Sequence, residues 1–148
     1  MTEIGCCSDH CACCPRYIAT VADDVRKLKE AARMWKRVGW RDTVLGTEAI
    51  RCGGCSTVTW CRYHEIRDCA RGQRLANCGE CDRYPCAMLE AVFDRTDRYA
   101  EKCRRIFDPE DFATLSRAFF FKRRTLDAVA SERRRRAATE DDLGEKAE

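Results

Sequence analysis

The chain lacks any run approaching the roughly 18 apolar residues that a membrane-spanning helix needs. No membrane association is therefore expected. Its first residues, MTEIGCCSDH, contain neither a basic n-region nor an apolar h-region. A secretory signal is not expected, and the chain should stay in a reducing cytoplasm. A net charge of only +3 is too small to argue by itself for a nucleic acid partner. No long internal repeat is present, and no convincing strand exceeds a few residues, the short candidate being 57–60. Without an alternating strand–helix pattern, the CxxC pairs have no thioredoxin-like redox scaffold. No Ser–His–Asp set is present, and the chain is not expected to be an enzyme.

What is abundant is charge, at 36% of the residues, and cysteine, with 13 in 148 positions. In a cytosolic chain such cysteines point to metal ligands or redox groups rather than to disulfides. Twelve of the thirteen lie between Cys6 and Cys86, and only Cys103 falls outside. The expected class is a small, metal-stabilised, mainly α fold. Cysteine-rich knuckle loops pack with about four helices and little strand. Residues 1–130 form the metal-binding domain, with a helical insert over 15–51 and a C-terminal helix over 108–135. An acidic, disordered tail is expected over 137–148.

Within the insert, Val25, Leu28, Ala32, Trp35 and Val38 recur at helical spacing and make one apolar stripe. Asp23 and Asp24 suit its N-terminus and Gly39 its stop. A second helix is expected from about Glu65 to Arg71. A third starts near Pro85 and continues or restarts to Ile106. The clearest start is Asp108 as cap, Pro109 as first helical residue and Asp111 in the first turn. Phe112, Leu115, Phe119 and Leu126 follow at helical spacing.

Four pairs share a spacing of two intervening residues: Cys11 with Cys14, Cys52 with Cys55, Cys61 with His64, and Cys78 with Cys81. Such a pair lets two side chains from one tight turn reach one tetrahedral ion, and structural zinc sites usually combine two pairs. Cys7, Cys69 and Cys86 extend the pairs. The eleven candidate ligands are thus Cys7, Cys11, Cys14, Cys52, Cys55, Cys61, His64, Cys69, Cys78, Cys81 and Cys86. Two complete sites follow, and a third if Cys6, Cys13 or His10 contributes, so two or three zinc ions are expected. An iron–sulfur cluster, [4Fe-4S], is the alternative, because Cys7, Cys11 and Cys14 are closely spaced before Pro15. The spacing of that trio also occurs in radical-SAM enzymes, but those need a partial barrel this chain is too short to build. Bound zinc would contribute on the order of 10–16 kcal/mol, which exceeds typical folding stability.

The stretches CSDHCACCPRYIAT, CGGC, CRYHEIRDCA and NCGECDRYPC, with the later LSRAFFFKRRTLD, resemble the cysteine-rich prokaryotic proteins grouped as domain of unknown function 3795. By that resemblance, Cys7, Cys11, Cys14, Cys52, Cys55, Cys61, Cys69, Cys78, Cys81 and Cys86 stand at the family's cysteine positions. His64 stands where related sequences usually carry cysteine. Cys6, Cys13 and Cys103 are extras. The family's occurrence in anaerobic bacteria and archaea keeps iron–sulfur chemistry open, and the resemblance implies no reaction.

The functional expectation is a metal-binding structural or regulatory interaction protein with an unknown protein partner. An iron–sulfur protein in electron transfer or redox sensing is the alternative. A third reading is a nucleic-acid-binding zinc module that uses the basic residues Lys122 to Arg124 and Arg133 to Arg136. For the first of those runs, the bland alternative is a helix whose phenylalanines close over the core while its arginines snorkel out.

Overall fold

The computed structural model describes residues 4–55 and 61–145, with side chains described to residue 141. The short strand considered over 57–60, and Trp60 with it, lie outside the described residues. The chain is mainly helical: α1 (Pro15–Val21), α2 (Val25–Val38), α3 (Thr47–Ile50), α4 (His64–Gly72), α5 (Ala87–Ile106), α6 (Pro109–Leu115) and α7 (Lys122–Glu145). Among the described residues the extended pairing is a single antiparallel bridge between Ile4 and His10. No helix among them is long and apolar enough to cross a membrane.

The helix signals act as the sequence implies. The Asp24 carboxylate accepts from the Lys27 N–H at 3.0 Å and caps α2. Gly39 closes the helix at φ 91°, a left-handed conformation that glycine adopts without steric cost. Lys102 Nζ donates to the Val38 carbonyl at 2.7 Å, which satisfies a helix-end acceptor. In α6 the Asp108 carboxylate accepts from the Asp111 N–H at 2.9 Å, with Pro109 at the first helical position.

Two apolar cores result. The first joins Ala19 of α1, Leu28, Ala32, Trp35 and Val38 of α2, and Ile50 of α3 to Cys103, Phe107, Leu115 and Ala118. The second joins Ile66 and Ala70 of α4 and Leu89, Val92 and Phe93 of α5 to Leu126 and Ala130 of α7. Each fully buried leucine contributes about 1.5–3 kcal/mol. Helix α5 feeds both cores, its N-terminal half the second and its C-terminal end the first. Val25, expected at the start of the α2 stripe, is half exposed, and Ala31 is buried in its place.

The insert holds more helix than the single stripe announced, since α1 and α3 flank α2 within it. The C-terminal helix expected over 108–135 is divided. Between α6 and α7, residues Ser116–Phe120 form a π-turn. A π-turn carries an extra residue and withdraws carbonyls from the regular ladder. Here the Ala118 carbonyl accepts from His10 N at 2.9 Å, and the Phe119 carbonyl accepts from Lys122 Nζ at 3.0 Å. Helix α7 then runs on through 137–145, the stretch expected as a disordered tail.

Candidate functional site

The two-residue spacing produces the same local structure three times. Cys14 N–H donates to the Cys11 carbonyl at 3.0 Å, His64 N–H to the Cys61 carbonyl at 3.2 Å, and Cys81 N–H to the Cys78 carbonyl at 3.2 Å. Each is a single tight turn closed by its backbone hydrogen bond. The fourth pair encloses Gly54, whose φ of 99° supplies the left-handed residue of its loop.

The fold brings the turns together into two groups. The outer group gathers Cys69 from α4, Cys78 and Cys81 from the 3-10 turn Cys78–Glu80 and its cap, and Cys86 at the start of α5. The Cys78 thiol lies within electrostatic reach of all three others and of Cys6. Gln73 joins two of them: its Nε2 lies 3.2 Å from Cys69 Sγ, and its Oε1 lies 3.9 Å from Cys81 Sγ. The turn is held by the Asn77 side chain, which accepts from Gly79 N–H at 2.9 Å.

The inner group gathers Cys7, Cys11, Cys14, Cys52, Cys55 and Cys61 from the N-terminal segment and the loops on either side of 56–60. The Cys7 thiol lies within electrostatic reach of Cys55 and Cys61, the Cys55 thiol within reach of Cys11 and Cys61, and the Cys14 thiol within reach of Cys52. Gly5 passes so close that a Cβ there would lie 3.1 Å from Cys55 Sγ. Cys6 belongs to both neighbourhoods: it faces Cys61, and its carbonyl accepts from Cys78 N–H at 3.0 Å.

Burial governs the thiols' chemistry. Desolvation pushes Cys7 up to about 12, against the opposing charge of Lys122, and Cys14 and Cys55 up to about 11. In the outer group it raises Cys78 to about 12. Such thiols stay protonated at neutral pH until something displaces the proton, and a metal ion does so on binding. The thirteen cysteines form no disulfides. No three His, Cys, Asp or Glu side chains among the described residues are drawn into a ready-made metal geometry. The donor chemistry nonetheless fits a thiophilic ion: both groups are made of sulfur, each supplied by several loops. His64, the one imidazole in the expected set, is exposed at the first position of α4.

Beside the inner group lies a cavity of about 140 Å³. Cys11, Cys14, Cys52, Cys55 and Cys61 line one part of it. Trp35, Trp40, Tyr99 and Phe119 form another wall, in edge-to-face contacts with centroids 5.0 to 5.9 Å apart. Lys122 also faces it and is only 3% exposed. Its ammonium donates to the Asp9 carboxylate and to the Phe119 carbonyl, and its own backbone carbonyl accepts from Ser8 Oγ at 3.1 Å. Burial lowers its pKa, against the raising influence of Cys7.

Lys122 and Asp9 are the site residues that motif spacing did not single out. A signal existed for Lys122. Positions 115, 119 and 126 form the apolar stripe, and 122 falls between them at helical spacing, so its side chain had to enter the interior. The second basic run is largely engaged at the surface: Arg133 pairs with Asp82, while Arg135 and Arg136 pair with Glu132.

A family model described as a protein of unknown function, DUF3795, matches residues 3–91, which is more than half of the chain and includes both thiol groups. No curated protein and no solved structure matches.

Proposed function

Because this chain belongs to the DUF3795 family, whose description carries no reaction, we propose a function from the thiol groups themselves: a metal-binding protein whose two thiolate sites organise its fold. The outer site takes one zinc ion on Cys69, Cys78, Cys81 and Cys86. The inner site takes another on a subset of Cys7, Cys11, Cys14, Cys52, Cys55 and Cys61. The observation that carries this reading is the gathering of ten cysteines, distant in sequence, into two groups with no disulfide. Undercoordinated thiols so arranged have no structural purpose of their own, whereas a tetrahedral ion would tie three loops at each site. The bound protein then acts as a structural or regulatory module for a protein partner in the cytoplasm.

A second reading has one observation in its favour. The inner group borders a cavity, and a purely structural zinc needs none. An iron–sulfur cluster on those thiolates, serving electron transfer or redox sensing, would use that space.

Elemental analysis of anaerobically purified protein tests both. The zinc reading expects about two ions per chain, a colourless solution, and loss of one ion in each of Cys78→Ser and Cys55→Ser. Iron with acid-labile sulfide and a band near roughly 400 nm would replace zinc by a cluster. A fully folded chain that never carries any ion sinks both.

A further inference from the structure

The four outer thiols are unequally held. Cys78, Cys81 and Cys86 stand on one short segment, whereas Cys69 comes from α4. The short segment is pinned to α7 at three points. The Tyr84 hydroxyl donates to the Asp127 carboxylate at 2.7 Å, Arg133 pairs with Asp82, and Gly79 lies against Val129 and the Leu126 carbonyl. The turn is braced from within as well. The Asn77 side chain holds the Gly79 N–H, and Glu80 Oε2 accepts from the Ala76 N–H at 3.0 Å. Three thiols therefore share a seat that α7 fixes, and Cys78 is buried in it.

Cys69 differs on each count. It is exposed, as is Gln73 one turn further along the chain. Gln73 joins it to the seat, with Nε2 3.2 Å from Cys69 Sγ and Oε1 3.9 Å from Cys81 Sγ. Amide groups of this kind orient a metal's ligands from outside the coordination sphere. The inner group offers a contrast: Cys7, Cys11 and Cys14 are buried, and Cys52, Cys55 and Cys61 are half-buried.

Exposure governs how a thiolate-bound ion leaves. An incoming ligand must reach the ion or one of its sulfurs, so a buried set resists exchange and an exposed sulfur invites it. A closed four-ligand site is structural, and a site with a removable ligand is reactive.

We propose that the outer site is a metal-exchange site, in which Cys78, Cys81 and Cys86 hold zinc and Cys69 yields its place to a thiolate of an external acceptor. This rests on the metal reading and gives the two sites different tasks, the inner ion structural and the outer ion transferable. In the exchange step the acceptor thiol loses its proton and forms a zinc–sulfur bond. The bond between zinc and Cys69 breaks, and the Cys69 sulfur takes up a proton. No electron moves and zinc stays divalent. Gln73 is a positioning residue, whose amide donates to the Cys69 sulfur and keeps it beside the seat.

The test uses the full chain, purified anaerobically and loaded with zinc, with metal content measured first. Release into an excess of the chromogenic chelator pyridylazoresorcinol is followed by absorbance. Two phases of equal size are expected, the outer ion leaving at least about tenfold faster than the inner one. Cys55→Ser should keep only the fast ion, and Cys78→Ser only the slow one. Glutathione should speed the fast phase in proportion to its concentration and leave the slow phase unchanged. A Cys-x-x-Cys peptide that acts at lower concentration than glutathione identifies a protein acceptor, and one with no advantage identifies a small thiol. Cys69→Ser should retain two ions and release the outer one quickly without glutathione. Gln73→Ala should speed the fast phase by up to about tenfold, with zinc content and circular dichroism unchanged. A single rate for both ions overturns the proposal, as does a fast phase that ignores glutathione or survives in Cys78→Ser. Loss of the outer ion in Cys69→Ser also overturns it, because Cys69 is then an indispensable ligand. Iron in place of the outer zinc does the same. In each of those cases the metal reading stands, whereas a folded chain that takes up no ion at the outset refutes both.

Discussion

At the scale of single residues, the thiols divide by their surroundings rather than by their number. Cys103 is wholly buried in the first core and belongs to neither group. Burial raises its pKa from 9.0 to about 11. A thiol whose folded pKa lies above its unfolded value stabilises the fold at low pH, and that contribution disappears as pH rises through the folded pKa. The stabilisation from Cys103 is therefore complete below 9.0 and lost on approaching 11. Urea unfolding across that window should show Cys103→Ala losing about 1 kcal/mol at neutral pH. The same variant should have a shallower alkaline decline than the parent chain, and an identical slope would show that Cys103 does not titrate as its burial requires. The residue scale also shows where the sequence was legible. Spacing placed three of the four pairs in tight turns correctly, because a turn is local. It could not sort the ten cysteines into two groups, because that depends on how α4, α5 and the N-terminal segment meet. Nor did it find Lys122, since a lysine in a basic run looks solvated until the apolar stripe is traced through it.

At the scale of elements, capping chemistry was the most readable part. Asp24, Gly39, Asp108 and Pro109 act as their residue types dictate, since a cap needs only its own helix. The π-turn at Ser116–Phe120 was not readable. It is tied to partners outside it, the distant His10 N–H and the side chain of nearby Lys122, which take up the carbonyls it releases. The same dependence on tertiary contact governs the seat of the outer group. A Cβ at Gly79 would lie 2.7 Å from Val129 Cβ and 2.9 Å from the Leu126 carbonyl. Only glycine lets the Cys78–Cys81 turn rest on α7. Gly79→Ala should therefore force the two apart and cost about 1–3 kcal/mol by overpacking. Thermal unfolding measures the cost, and alkylation of Cys78 by iodoacetamide, faster than in the parent, reports the opened contact. Unaltered stability and reactivity would mean the turn does not need its contact with α7.

At the scale of the whole molecule, the family match ends at residue 91, while the cores draw on residues as far as Ala130. The later helices are part of the fold's closure. Leu115, Leu126 and Ala130 are each no more than 1% exposed, and Lys122 enters the site from the same stretch. A chain ending at residue 107 loses these side chains from both cores. The two leucines alone account for about 3–6 kcal/mol, which is comparable with the roughly 5–15 kcal/mol by which domains are stable. The shortened chain should show no cooperative melting by circular dichroism and should be cut by trypsin throughout. A chain ending at residue 137 keeps every α7 residue that is buried among the described ones and should melt within a few degrees of the full one. A folded 1–107 fragment would contradict the two-core architecture.

Cys6 and Cys7 are consecutive, and between them they touch both thiol groups: Cys7 lies with the inner group, and Cys6 lies within electrostatic reach of Cys55 and Cys61 of the inner group and of Cys78 of the outer. A single peptide unit, about 3.8 Å from Cα to Cα, is all that separates the two neighbourhoods there. A backbone displacement at one of these cysteines is shared with the other. An ion held in either pocket of sulfur would therefore pull on backbone that borders the other, and filling one should alter how readily the other fills.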